Sequence, residues 1–319
     1  MWRRSLAAFA LLLLSSQDGS TQTWPTKPIR VVVPVTAGSA LDIIARTVSE
    51  QLSTQLGQPI VVENRTGAGG TIGAASVAKA DPDGYTILIH SSAHTIAPST
   101  FPNLPYDTGR DFAGITPLAN VPLVLVVAPS KYQSIGDLVA AAKARPGSIN
   151  YATVGAGAAA HLTAERFRLS AGFQAQQIPF RGAPEAMTEV MAGRVDFFFS
   201  PTLATLPLLQ GGKLKAVAVS SSKRASALPD VPTTVEAGFA NSDYNFWLGM
   251  FVPANTPRDI VERLNQETVK VLHMPAVREK LATLGGEPMA MTPAEFDAFL
   301  RQEIAMNAAL VKAAGIKAE

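Results

Sequence analysis

Short runs of β-branched and aromatic residues alternate along the chain with stretches in which apolar residues recur every three or four positions. Eight runs have the character of strands: 29–33, 59–63, 85–90, 123–128, 150–154, 195–200, 215–220 and 246–252. These runs are apolar at consecutive positions, which is typical of parallel strands covered by helices on both faces. The pattern predicts an α/β fold with mostly parallel sheets flanked by helices.

Helical spacing is clearest in three segments. Apolar residues recur from 41 to 56, and Gly57 and Pro59 then end the helix before the next strand, which makes a βαβ unit. Two amphipathic helices are predicted over 258–272 and 293–311. No strand is predicted after them, so we expect them to pack back onto an earlier sheet.

The first sixteen residues have the composition of an export signal. Arg3 and Arg4 precede an apolar run from Leu6 to Leu14, which is too short to span a bilayer. We therefore predict a signal peptide over residues 1–23 and a periplasmic protein.

Composition narrows the functional classes. The 319 residues are 47% hydrophobic and 16% charged, which is enough apolar material for two domains. The formal net charge of +2 indicates no nucleic-acid partner. With no cysteine, the chain has no disulfide, no thiolate nucleophile and no cysteine-based metal site. We predict no cofactor and no bound metal.

Four loops share one pattern, in which a strand is followed by small residues and then by the start of a helix. They cover 34–42, 64–73, 152–162 and 179–187. In a parallel sheet such loops gather at the carboxyl ends of the strands, where unpaired N–H groups favour an anion. Burying a carboxylate costs several kcal/mol and each charged hydrogen bond returns roughly 1.5–3, so two facing loops should share the ligand. A tight turn that needs glycine is the alternative for any single loop.

Catalytic and nucleotide-binding alternatives have weaker support. Residues 155–160 fit a dinucleotide fingerprint, but the following strand ends in "AQQIPF" without the acidic residue that binds ribose. No hydrolase or phosphate-loop motif is present. His90 and His94 are four residues apart at a strand end instead of along a helix, which disfavours a metal site. The enzyme alternative is an exported hydrolase or transferase that uses His161 or His94 with a nearby serine.

Five long segments carry a family resemblance. They are "WPTKPIRVVVPVTAGSALDIIAR", "GQPIVVENRTGAGGTIGAASVAKADPDGYTIL", "PFRGAPEAMTEVMAGRVDFFF", "GKLKAVAVSSSKRASALPDVPTTVEAGF" and "FVPANTPRDIVERLN". From residue 24 to the C-terminus the chain resembles the extracytoplasmic solute receptors of tripartite tricarboxylate transporters, the Bug proteins. The resemblance implies a type II periplasmic-binding-protein fold, a small carboxylate ligand and a membrane permease as partner.

Two extended runs that end in proline, "VPLVLVVAPS" and "NFWLGMFVPANTP", are suited to cross between two domains as hinges. We place the first domain at 24–124 plus 247–319 and the second at 125–246, and we expect a monomer. A sensor that docks on a signalling partner stays an alternative to transport.

The resemblance implies that the loops 35–42 and 153–161 bind ligand carboxylate, partly through backbone N–H groups and ordered water. The predicted binding residues are Val35, Thr36, Ala37, Gly38, Ser39, Ala40, Asp42, Ser91, Ser92, His94, Thr153, Ala156, Gly157, Ala158, His161, Phe180, Arg181 and Ser200.

Departures from the family pattern bear on the ligand. The first loop of such receptors commonly reads P-F-P-A-G-G-x-x-D, whereas this chain has smaller or hydroxylated residues at Val35, Thr36 and Ser39. Ser200 stands where receptors for amino acids tend to carry an acid, and Ala158 replaces a frequent hydroxyl. We therefore expect a dicarboxylate without an amine, with room for an aromatic ring near four aromatic residues: Phe180, Phe199, Phe246 and Trp247.

Overall fold

The computed structural model describes residues 24–154 and 158–316. The predicted signal peptide and the predicted binding residues Ala156 and Gly157 lie outside the described residues. The strands are β1 (Ile29–Val33), β2 (Ile60–Asn64), β3 (Thr86–Ser91), β4 (Phe112–Asn120), β5 (Leu123–Val127), β6 (Ile149–Thr153), β7 (Ala175–Pro179), β8 (Phe197–Pro201), β9 (Lys215–Val219), β10 (Trp247–Pro253) and β11 (Glu287–Pro288). The α-helices are α1 (Ala40–Leu56), α2 (Thr71–Ala78), α3 (Ala93–Thr100), α4 (Ile135–Ala144), α5 (Ala159–Ala171), α6 (Ala183–Met191), α7 (Thr202–Gln210), α8 (Arg258–His273), α9 (Pro275–Thr283) and α10 (Pro293–Ala314).

The strands form two sheets. The first has the order β11-β4-β10-β3-β1-β2 and the second the order β7-β6-β8-β5-β9. In the first sheet β1 is parallel to β2 and β3, and in the second β6 is parallel to β7 and β8. Most strands of each sheet therefore run in one direction, as the sequence predicts.

One interior strand in each sheet runs against both of its neighbours. β10 is antiparallel to β3 and β4, and β5 is antiparallel to β8 and β9. Both strands are buried along their whole length, which is the pattern that predicted parallel strands. Burial on both faces indicates that helices cover the sheet, but it does not indicate whether a strand is parallel or antiparallel to its neighbours.

Strand β4 is not among the predicted runs, because Gly114 and Pro117 interrupt its apolar pattern. Pro117 pairs with Gly249 of β10 where the register of the ladder shifts. An irregularity of this kind tolerates a residue without an N–H group. The strand therefore forms from its pairing with β10 and not from its own sequence preference.

The last helix packs back onto the first sheet, as expected. A Cβ atom at Gly114 would lie 2.7 Å from Phe296 Cδ1, and one at Gly249 would lie 2.6 Å from Phe296 Cζ. These two glycines, on the neighbouring strands β4 and β10, therefore leave the space that the Phe296 ring of α10 fills. Phe296 is fully buried there.

The chain crosses from one sheet to the other between β4 and β5 and returns before β10. The N–H of Val121 in the first crossing donates to the carbonyl of Phe246 in the second at 2.7 Å. The strands of the first sheet fall within 29–120 and 247–288, and those of the second within 123–219. The domain limits at 124 and 246 stay a prediction.

Candidate ligand-binding site

The parallel strands of the first sheet end at the crossing. Ser91, the last residue of β3, pairs with Leu248 of the antiparallel strand β10, which begins where the crossing ends. The N–H of Ser92 then donates to the carbonyl of Trp247 at 2.9 Å. The carboxyl end of β3, and with it the loops after β1 and β2, therefore lies at the crossing.

The second sheet has the same arrangement. Pro201 at the end of β8 pairs with Leu123 at the start of β5. The hydroxyl of Thr202 donates to the carbonyl of Pro122, within the crossing, at 2.6 Å. The loops that follow the parallel strands of both sheets therefore open towards the same crossing, which is the usual position of a ligand between two α/β lobes.

The first loop, residues 34–39, is held by its own side chains. Gly38 has φ of 81°, and its N–H donates to Asp42 Oδ2 at 2.8 Å. Ser39 caps α1 and its Oγ accepts from the N–H of Asp42 at 3.3 Å. Thr36 and Ala37 are exposed, and in the described part of the chain no acceptor takes their N–H groups. Two backbone donors of the loop are therefore not used by the described residues.

Asp42 is a predicted binding residue whose carboxylate is already used by the protein. It is buried, and it accepts hydrogen bonds from Gly38, Arg46 and Asn64. Burial alone would raise the pKa of Asp42, but these hydrogen bonds outweigh it and hold the pKa below its ordinary value. In this structure Asp42 fixes the loop, and its contact with a ligand stays a prediction.

The second loop packs against the first. A Cβ atom at Gly73 would lie 2.8 Å from Pro34 Cβ, and one at Gly70 would lie 2.7 Å from His90 Nε2. Gly70 also has φ of 97°, which other residues rarely adopt. The glycines of this loop thus serve close packing beneath the first loop, which is the tight-turn alternative raised from the sequence.

Ser91 and Ser92 are placed at the crossing by the pairing of β3 with β10. The Oγ of Ser91 accepts from the N–H of Ala93 at 3.3 Å. The Oγ of Ser92 is buried and has no hydrogen-bond partner among the described residues. Of these two predicted binding residues, Ser92 is therefore the one whose hydroxyl makes no hydrogen bond with the described residues.

His94 is fully buried, and its assignment to the binding site stays a prediction. Its ring lies 4.6 Å from that of Phe112, 4.8 Å from that of Phe251 and 6.0 Å from that of Tyr106, measured between centroids. Neither ring nitrogen has a partner among the described residues, so no serine–histidine pair exists there. Desolvation, followed by repulsion from His90, lowers the pKa of His94 well below its ordinary value.

In the second sheet, the loops after β6 and β7 lie side by side. The N–H of Phe180 donates to the carbonyl of Thr153 at 2.8 Å. The side chain of Thr153 is fully buried, and its hydroxyl oxygen accepts from Gln177 at 2.9 Å. Phe180 is half-buried and Arg181 is exposed. These two side chains are therefore the accessible ones of the pair of loops.

Helix α5 begins without a side-chain cap. Ala158 is in the capping position with an extended conformation, but it has no oxygen to accept from the N–H groups of the first turn. His161, in that turn, is buried against the ring of Tyr151 and lines a cavity of about 660 Å³ with Glu165 and Arg168. Desolvation lowers the pKa of His161.

Two further predictions concern residues that the structure places inside the core. Ser200 is fully buried, and its hydroxyl contacts Met187 Sδ at 3.8 Å, so its contact with a ligand stays a prediction. Phe199 and Trp247 are also fully buried, whereas Phe180 and Phe246 are half-buried. The aromatic surface available to a ligand is therefore limited to the last two rings.

The structure brings together residues 35–40, Ser91 and Ser92 on one side of the crossing, and Ala158, Phe180 and Arg181 on the other. Asn64 was missed, although it contacts both the loop backbone and Asp42. The signal that could have found it is a polar residue at the end of an apolar strand. Among residues 24–154 and 158–316, no group of three or more histidine and acidic side chains could hold a metal ion.

Comparison with known proteins identifies the family. A sequence profile described as the tripartite tricarboxylate transporter family receptor matches residues 44–316. The chain belongs to this family. Its members are receptors, so the prediction of a solute receptor instead of an enzyme is confirmed. No helix in the described part of this receptor is both long enough and apolar enough to cross a membrane.

Relatives of this receptor match it over most of their length. A UPF0065 protein from the tcbD–tcbE intergenic region of a Pseudomonas species is 38% identical over 287 residues, which are 89% of this chain and 85% of that protein. Protein BugT of Bordetella pertussis is 36% identical over 301 residues, 93% of this chain and 92% of that protein.

Solved structures of receptors share the fold. Periplasmic binding protein BugD has a TM-score of 0.78 and 34% identity, covering 93% of this chain and 100% of its own. An R. palustris protein with adipate has a TM-score of 0.81 and 32% identity, with the same coverage of 93% and 100%. MatC from Rhodopseudomonas palustris with bound malate has a TM-score of 0.76 and 29% identity, covering 90% and 100%. The two-domain periplasmic-binding-protein fold is thereby confirmed.

Proposed function

We propose that this receptor binds a small dicarboxylate without an amine between its two lobes and delivers it to the permease of a tripartite tricarboxylate transporter. The observation that carries the proposal is the common position of the loops. Val121 and Pro122 form the crossing on which the carboxyl ends of both sets of parallel strands converge. A ligand bound there touches both lobes, which ligand-driven closure requires.

The loops favour negative oxygen atoms. Thr36 and Ala37, which are exposed residues of the first lobe, have N–H groups that no described acceptor takes. The uncapped start of α5 offers N–H groups and the positive end of the helix dipole from the second. Two ends of a diacid would each meet donors from one lobe, so neither carboxylate would be left desolvated and unpaired.

The same loops lack a partner for an ammonium group. Both carboxylate oxygens of Asp42 accept hydrogen bonds from the protein, and Ser200 is uncharged and buried. Structural neighbours with adipate and with malate support a diacid. Phe180 and Phe246 leave partial room for an aromatic diacid, although Phe199 and Trp247 are in the core.

The location and partner are part of the same proposal. Neighbouring structures are described as periplasmic, which supports export directed by residues 1–23. We keep the lobes at 24–124 plus 247–319 and 125–246, and we expect a monomer.

Ligand binding can be tested directly with the purified protein. Thermal-shift measurements followed by calorimetry would compare adipate, malate and benzene dicarboxylates with aspartate and glutamate. We expect stoichiometric binding of at least one amine-free diacid and recovery of that compound chemically unchanged. A strong response to the amino acids alone would contradict the assigned ligand class, and turnover of the bound compound would favour the enzyme alternative.

A further inference from the structure

Asn64, the last residue of β2, holds the first loop at two points. Its Nδ2 donates to the carbonyl of Val35 at 3.0 Å and to Asp42 Oδ1 at 2.8 Å. Its Oδ1 accepts from Arg46 at 2.8 Å. Because a guanidinium group only donates, Arg46 fixes which end of the amide faces it, and the amide nitrogen must face the two acceptors.

This contact determines the orientation of one peptide plane. The peptide between Val35 and Thr36 is trans, and in a trans peptide the C=O and N–H bonds point in opposite directions. Since the carbonyl of Val35 is directed at Asn64, the N–H of Thr36 is directed away from it. Thr36 itself is exposed, and no described acceptor takes its N–H.

Two further acceptors in or next to this loop are used by the protein itself. The carbonyl of Thr36 accepts from the N–H of Ser39 at 3.3 Å, and Asp42 is occupied by Gly38, Arg46 and Asn64. The loop therefore presents donors outwards while these acceptors are turned to the protein.

We propose that Asn64 is a positioning residue for ligand binding: it aims the Thr36 N–H at a ligand carboxylate and keeps the Val35 carbonyl out of the site. The inference rests on the proposed function and adds the residue that sets the charge preference of the first loop. Without the Asn64 amide, the peptide between Val35 and Thr36 is free to turn over. A carbonyl oxygen would then occupy the position of the donor and repel a carboxylate.

The test compares Asn64→Leu with a matched substitution, Asn265→Leu. Asn265 on α8 likewise donates to two backbone carbonyls, those of Ile115 and Met291, each at 2.8 Å. Each variant loses the two hydrogen bonds that the amide nitrogen donates, and Asn64→Leu also loses the one accepted from Arg46, so both should melt at lower temperature. The melting temperature measures the loss of stability. Calorimetry with adipate and malate, and with the monoamide of adipate, measures affinity and the preference for a second carboxylate.

We expect Asn64→Leu to weaken binding of the diacid roughly 10- to 100-fold, the loss of one hydrogen bond to a charged group. Its preference for the diacid over the monoamide should narrow by a similar factor, whereas Asn265→Leu should keep both within about 2-fold. Equal affinities and an unchanged preference in the two variants would overturn the proposal.

A second measurement does not depend on a ligand. The backbone ¹³C and ¹⁵N chemical shifts of Val35 and Thr36 report the dihedral angles on either side of the peptide. They should change in Asn64→Leu and stay as in the parent protein in Asn265→Leu. If the parent protein binds no diacid, the proposed function fails, while unchanged shifts in Asn64→Leu would reject the positioning role by themselves.

Discussion

The helix starts that follow β1 and β6 lie on opposite sides of the crossing and are built in opposite ways. Ser39 caps α1 and Asp42 in its first turn fixes the loop before it. Ala158 begins α5 with no side-chain acceptor and no acidic residue in the first turn. The first lobe is therefore preorganised by its own side chains, whereas the second leaves helix N–H groups for which a ligand carboxylate can act as the cap.

Acid should lower the stability of the first lobe. His90 and His94 are buried and adjacent, and desolvation lowers the pKa of His90 to about 3. The unfolded chain takes up protons below about pH 6.5 while the folded protein does not, so the free energy of unfolding should fall as the pH drops from 6.5 towards 3. His90 alone should account for about 3 kcal/mol by pH 4.

Urea unfolding between pH 7 and 4 measures this loss. His94→Phe, which removes one buried base with two unpartnered nitrogens, should reduce the loss and leave ligand affinity unchanged. Stability that does not depend on pH in this range would contradict the argument. A His94→Phe variant that folds and no longer binds a diacid would indicate that His94 contributes to the binding site.

Adding a capping side chain to α5 tests whether its start binds the ligand. Ala158→Asp should stabilise the helix by about 1 kcal/mol, because the new carboxylate supplies the side-chain cap that Ala158 lacks. The same carboxylate competes with the ligand and repels it, so affinity should fall about 100-fold. Calorimetry and thermal melting would show opposite signs for binding and stability.

Ala158→Ser separates the two effects, because it supplies a cap without a charge. Stability should rise by a similar amount, while affinity should fall only a few-fold. Diacid affinity that is the same in Ala158→Asp and in the parent protein would place the ligand elsewhere.

Gly38→Ala tests the preorganised loop. No atom lies within 4 Å of a Cβ built at Gly38, so the change costs only the strain of φ at 81°, about 1 kcal/mol. The loop should relax and affinity should fall about 10-fold. Gly172→Ala is the control, since Gly172 has φ of 66° at the end of α5 and the same open surroundings. An equal effect of both variants on affinity would show that the first loop is not in the site.

Ser39→Ala should have the smallest effect on binding. Loss of the cap should lower the stability by about 1 kcal/mol. Affinity should change less than about 3-fold, because Asp42 and Asn64 still hold the loop. Ser134→Ala, which removes the matching cap of α4 in the second lobe, is the reference for stability in the same unfolding experiment. A larger loss of affinity would mean that the Ser39 hydroxyl itself contacts the ligand.

Much of the fold follows from local patterns. Strand β1 is found at 29–33 as predicted, and helices α8 and α10 begin at the predicted residues. These elements have strong periodicity and recognisable ends. β4 was missed because its stability depends on β10, which is more than a hundred residues away, and on the bulge that accommodates Pro117.

The site was less predictable, because a sequence shows which groups are present and not which of them are already satisfied. Asp42 has the chemistry of a binding residue, but its partner Asn64 lies 22 positions further along the chain. His94 and Ser200 lie next to strand ends, yet their side chains turn into the core. The direction of a single side chain depends on which face of its element is covered.

The hydrogen bond between Val121 and Phe246 has a mechanical consequence. It makes the two passages between the lobes into one short ribbon, so they cannot twist independently of each other. We expect relative motion of the lobes to stay close to a single axis. In the proposed function, closure over a ligand would then change one angle, and a membrane partner would need to sense only that angle.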